Sequence, residues 1–80
     1  MTGTSHIITT IQKDGKRNTQ ALTISNNVNL RGYIESSESM GYKIISVYIC
    51  HTLKEARQKA EEDNEFYKKH DMFLDTSRGN

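Results

Sequence analysis

Residues 41–60, GYKIISVYICHTLKEARQKA, carry a glycine stop, a strand and the opening of a helix in one run. From Tyr42 to His51, Ile, Val and Tyr dominate and no Gly or Pro interrupts, the usage of a pleated, largely buried segment. A period of two places Lys43, Ile45, Val47, Ile49 and His51 on one face and Tyr42, Ile44, Ser46, Tyr48 and Cys50 on the other. The first is expected to be the core face. The second mixes apolar and polar groups, as where a sheet meets a ligand, a partner or another copy of itself. Thr52 then predicts a helix start, because its hydroxyl can accept from the amide of Glu55 while the Glu55 carboxylate reaches back, a reciprocal capping box.

Upstream of this stretch, Ser25-Asn26-Asn27 offers three cap residues before a helical segment that runs to Met40, with Leu30, Tyr33, Ile34, Ser37 and Met40 turned inward. Gly32 weakens that helix by about 1 kcal/mol relative to Ala. Gly41 falls where a helix ends in a left-handed residue. Earlier still, His6 to Gln12 alternates loosely, and Asp14-Gly15 is a strong hairpin signal because a type I′ turn needs positive φ at both central residues. That two-residue loop sets Ile11 opposite Asn18, Thr9 opposite Gln20 and Ile7 opposite Leu22, gathering Ile7, Ile11, Leu22 and Ile24 on one face. A longer loop over Lys16 to Thr19 is the alternative.

Downstream, Leu53, Ala56, Ala60 and Tyr67 keep one helical stripe, and the two alanines permit close approach to a sheet. Glu55 with Lys59 and Glu65 with Lys69 are favourably ordered pairs, each worth a few tenths of a kcal/mol. Phe66, Phe73 and Leu74 lie off the stripe, so they either fold back over the core edge or reach a neighbouring molecule. Residues 1–5 and 75–80 are expected to be flexible tails around an ordered core of about residues 6–71.

The assembled order is ββαβα, an α+β domain whose three-stranded sheet has the order 2-1-3, with both helices expected on one face. The crossover from the second strand to the third is parallel and right-handed, which leaves the first strand between them. Pairing the first strand antiparallel to the third sets Ile7 against Ile49, Thr9 against Val47 and Ile11 against Ile45. His6, Ile8 and Thr10 then neighbour Cys50, Tyr48 and Ser46 on a face that no helix covers.

Eighty residues make one small domain. Hydrophobic residues supply 34%, and five glycines still leave the total below the roughly 45–50% of ordinary globular chains. A core this thin favours stabilisation by association. Eleven Lys and Arg against ten Asp and Glu leave a formal charge of +1, which provides no global pull toward nucleic acid or an anionic membrane. The single Cys excludes an internal disulfide framework and suits a reducing compartment. With no basic start before an apolar run and no segment of spanning length, the chain reads as soluble and cytoplasmic.

Catalytic chemistry finds little footing. Cys50 and His51 are adjacent, so in a strand they point to opposite faces and form no dyad. His6 beside Cys50 is better placed but lacks a third residue to orient the imidazole and an oxyanion-stabilising turn. The same facing argument defeats a metal site from His6, Cys50 and His51, and His70 lies a whole helix away. Glu61-Glu62-Asp63 fans around a helix instead of converging on an ion, and Ser36 to Ser39 reads as solvated helix surface. No enzyme activity, cofactor, metal or small-molecule substrate is expected.

Two surfaces remain. Ile8, Tyr42, Ile44 and Tyr48 on the uncovered face suit a protein partner or a second copy, as in a homodimer. Lys13, Lys16 and Arg17 in the hairpin, with the sheet tyrosines, are the alternative: a small nucleic-acid platform whose few phosphate contacts give weak, salt-dependent binding. In general style, a compact polar chain with a hairpin, two short helices and no catalytic signature, the sequence resembles small accessory proteins encoded by bacteriophages and mobile elements. That resemblance is one of type and rests on no diagnostic residue.

Overall fold

The computed structural model describes residues 4–76. The elements are β1 (Ser5–Lys13), β2 (Lys16–Ile24), α1 (Asn27–Ser39), β3 (Lys43–Cys50) and α2 (Leu53–Lys69). The sheet order is β2-β1-β3, with β1 antiparallel to both neighbours. Asp14 and Gly15 both have positive φ, 55° and 79°, so the two-residue turn fixes the hairpin in the expected register from Ser5 opposite Ile24 to Lys13 opposite Lys16. Ser5 is therefore part of the sheet and not of a flexible tail; residues 1–3 and 77–80 lie outside the described residues.

Both helices are capped at each end by local chemistry. Asn26 Oδ1 accepts from Asn29 N–H at 2.8 Å, and Thr52 Oγ1 accepts from Glu55 N–H at 3.0 Å. The Glu55 carboxylate reaches back to the N–H of His51, one residue beyond the expected position. At the other ends, Gly41 (φ 94°) and Asp71 (φ 56°) adopt the left-handed conformation. Each closes the same pattern: Gly41 N–H to Glu38 O and Tyr42 N–H to Ser37 O in α1, Asp71 N–H to Lys68 O and Met72 N–H to Tyr67 O in α2.

The helices lie on opposite faces of the sheet, which corrects the expected placement on one face. Tyr33 of α1 donates its hydroxyl proton to Gln20 Oε1 at 2.7 Å, and Gln20 shares a face with its partner Thr9. Ala56 of α2 packs with Ile8, Cys50 and Ala21, which belong to the other face. The backbones of the two helices do not approach each other among the described residues. The cause is in β1, where Ile7, Ile8, Thr9 and Thr10 are buried in succession. A central strand with apolar groups on both sides needs cover on both. The crossover helix takes one side, and α2, with Ala56 and Ala60 allowing close approach, takes the other.

A β-bulge supplies the second correction. β3 pairs with β1 as expected from Cys50 to Ser46, but Ile11 then faces Ile44 instead of Ile45. The extra residue, Ile45, reverses the alternation beyond it. Tyr42 and Ile44 are thereby carried to the α1 face, and Lys43, opposite Gln12, to the α2 face.

Candidate functional site

The two edges of the sheet are finished differently. In a two-residue hairpin the closing pair exchanges both hydrogen bonds and bonded pairs then alternate, so odd-numbered residues of β1 bond β2 and even-numbered ones bond β3. The outward groups are those of Arg17 and Thr19 on β2, and of Val47 and Ile49 on β3.

On β2 the outward groups are taken. Arg17 N–H donates to Met72 O at 2.7 Å and its carbonyl accepts from Leu74 N–H at 2.8 Å, with Phe73 bridged in parallel to Arg17. Asn18 Nδ2 donates to Leu74 O, and Gln20 Nε2 to Thr76 Oγ1. Phe73 and Leu74 thus fold back over the core edge, which extends the ordered chain past residue 71. Next along the strand, the side-chain amide of Asn64 bonds both N–H and C=O of Thr19, and Thr19 Oγ1 donates to Asp63 Oδ2 at 3.1 Å. Asp63 consequently faces the sheet, unlike the exposed Glu61 and Glu62.

On β3 no segment or side chain takes the outward groups of Val47 and Ile49 among the described residues. The strand carries Ile49 at 78% exposure, Tyr48 at 63% and Ile45 at 37%. Val47 and Ile49 lie on the α1 face and Tyr48 on the α2 face, while Ile45 is the extra residue of the bulge. α1 runs back from the end of β2, so its first turn, with exposed Val28, opens at the end of the sheet where Ile49 lies. Lys43 is the one charged residue of the strand.

The four residues expected to form one apolar face are divided by this geometry. Ile8 is 8% exposed beneath Ala56, so it presents nothing to a partner. Tyr42 and Ile44 are half-buried on the α1 side, and Tyr48 alone keeps its expected exposure. Conversely, Ile45 and Ile49, assigned from sequence to the core, are the exposed groups: Ile45 is the bulged residue, and α1 covers only part of the face on which Ile49 lies.

The basic hairpin is engaged with the rest of the fold. Lys13 Nζ donates to Met40 O at 3.4 Å and sits 5.1 Å from the centre of the Tyr42 ring. Lys16 Nζ donates to Asp71 O at 3.4 Å, and Arg17 Nε to Gln12 Oε1 at 2.9 Å. The two lysines thus sit at the carbonyl ends of α1 and α2, where the helix dipole favours a cation.

Beside α1, a groove of about 340 Å³ is lined by Ile11, Gln20, Tyr33, Ser37, Met40, Tyr42 and Thr76. Burial of the Tyr33 phenol raises its pKa, partly offset by the Ser37 and Thr9 hydroxyls nearby. Thr9 Oγ1 itself is buried with no hydrogen-bond partner. His6 and Cys50 are opposite each other, but the His6 ring is bonded to Thr23 Oγ1 at 3.1 Å and the Cys50 thiol is buried. Among the described residues no three metal-ligating side chains cluster, and no helix is long and apolar enough to cross a membrane.

Comparisons with protein-family models, with curated proteins and with solved structures find no match.

Two features escaped sequence reasoning. The bulge leaves no mark in a run of β-branched residues, since Ile44-Ile45 reads equally well in either register. The edge role of Asn64 also had no local signal, although its place near the Ala56, Ala60, Tyr67 stripe put it on the sheet side of α2.

Proposed function

We propose that this chain is a small, non-enzymatic accessory module that binds protein by accepting a strand at the free edge of β3. The supporting observation is the asymmetry of the sheet: α2 and the carboxyl-terminal segment close the β2 edge, while β3 is left open beside Tyr48 and Ile49. Natural sheets protect their edges against unintended pairing, and among the described residues this one does so on a single side. Main-chain bonds along an open edge provide affinity, and the flanking side chains provide selectivity. Tyrosine is a favoured anchor at such contacts. A role in the cytoplasm fits the lone buried thiol, and the small accessory proteins of bacteriophages and mobile elements are the type it resembles.

The test is an affinity pull-down from the native host with the intact chain and with I49K, which places a charge on an exposed position of the edge. Specific capture by the wild type, lost in I49K, supports strand addition. Equal capture by both proteins overturns it. Retention on mixed DNA or RNA at about 150 mM salt, abolished by removing Lys13, Lys16 and Arg17, would transfer the function to the nucleic-acid alternative.

A further inference from the structure

We infer that the strand received at this edge is β3 of a second copy, antiparallel, with Val47 on the two-fold axis. The inference rests on the strand-addition reading and specifies its partner. A two-fold axis normal to the sheet preserves its faces, so paired residues must have the same parity and one residue pairs with itself. Val47 turns its N–H and C=O outward, so self-pairing there exchanges two hydrogen bonds. It also sets Tyr48 opposite the partner's Ser46 and Ile49 opposite the partner's bulge at Ile44-Ile45. Centring on Ile49 instead would run into the start of α2, and centring on Ile45 would bring the two Lys43 ammonium groups toward each other.

Side chains and charges agree with that register. Val47 and Ile49 lie on the α1 face, so the join sets the aliphatic groups that each copy exposes there in one row. Lys43, carried to the α2 face by the bulge, comes opposite the partner's Cys50, next to His51. There the Glu55 carboxylate is held 3.0 Å from the backbone nitrogen of His51, and α2 lies on the same face. The strand's one cation thus meets a fixed carboxylate at each end of the interface. The result is a six-stranded sheet whose outer edges are the two β2 strands already closed by Asn64 and the carboxyl-terminal segment. The assembly ends there, as a closed dimer should.

The test combines mass and register. Sedimentation of the full chain from micromolar to millimolar concentration is expected to show a dimer, with I49K raising its dissociation constant at least about tenfold and leaving the far-ultraviolet spectrum unchanged. In a C50A background, V47C is expected to form an intermolecular disulfide under mild oxidation, since bonded antiparallel pairs have Cα atoms about 5.5 Å apart. S46C and Y48C should cross-link when mixed and not when alone. A wild type that stays monomeric at millimolar concentration, or a dimer cross-linked through other positions, overturns the inference. If the monomer still captures a host protein in a manner lost with I49K, strand addition stands and the second copy alone is excluded; if it captures nothing, both fail.

Discussion

Asn64 grips the backbone of Thr19 with both ends of its side-chain amide, Oδ1 accepting from the N–H at 2.8 Å and Nδ2 donating to the C=O at 2.9 Å. A side-chain amide has the donor and acceptor spacing of a peptide group, so Asn64 stands in for one residue of a missing strand and fastens α2 to the β2 edge. Replacing it by Leu leaves two backbone groups of a buried residue unpaired, at about 1–3 kcal/mol each before water re-enters. N64L is expected to lower the urea midpoint by an amount equivalent to about 2 kcal/mol, with the slope unchanged. A midpoint within error of the wild type would mean that water serves Thr19 equally well.

Glycines at two positions should respond with opposite signs. Gly15 has φ of 79° and nothing within 4 Å of where a Cβ would stand, so the cost of a side chain there is purely conformational. G15A is expected to destabilise by about 1 kcal/mol and G15V by more, because a β-branched residue is excluded from that region. Gly32, inside α1 with open space around it, should gain about 0.5–1 kcal/mol as G32A. Thermal melts of the three variants decide it, and a neutral G15V would contradict the turn geometry.

The start of α2 offers a graded series. Thr52 supplies a cap to the Glu55 amide, while Glu55 returns to the His51 amide at the surface. T52A should cost about 1 kcal/mol and E55A less, since water can replace the exposed carboxylate. An E55A variant less stable than T52A would show that the link to His51 at the end of β3 outweighs the cap.

What could be read in advance was what local chemistry dictates. Asp14-Gly15 set the turn and hence the whole β1 to β2 register; Asn26, Gly41 and Thr52 bounded the helices; and the crossover rule gave the strand order. The faces were not legible, for two reasons. Ile7-Ile8 was read through a period of two when a strand buried on both sides has no such period, and the bulge at Ile45 inverted the alternation within a uniform run of β-branched residues. The four-residue face of Ile8, Tyr42, Ile44 and Tyr48 inherited both errors. The exposed edge of β3 survived them because it follows from strand order alone.

Tyr33 should make the fold sensitive to alkali. Its hydroxyl is held against Gln20 at 2.7 Å, and burial raises its pKa above the ordinary tyrosine value of about 10, with the Ser37 and Thr9 hydroxyls working in the opposite direction. The folded chain therefore keeps this proton at a pH where the unfolded chain has released it. The contribution is fully present below about pH 10 and declines as the pH rises through the folded value. Y33F removes the titrating group, so the melting-temperature gap between wild type and Y33F should narrow from neutral pH to alkaline pH. Y33F will be the less stable at neutrality, because Gln20 Oε1 loses its donor. The absorbance of tyrosinate gives an independent reading: of the four tyrosines, one should ionise last, and that final component should be missing in Y33F. If the four ionise together in the folded protein, or the gap widens with pH, the phenol is not held neutral by its surroundings.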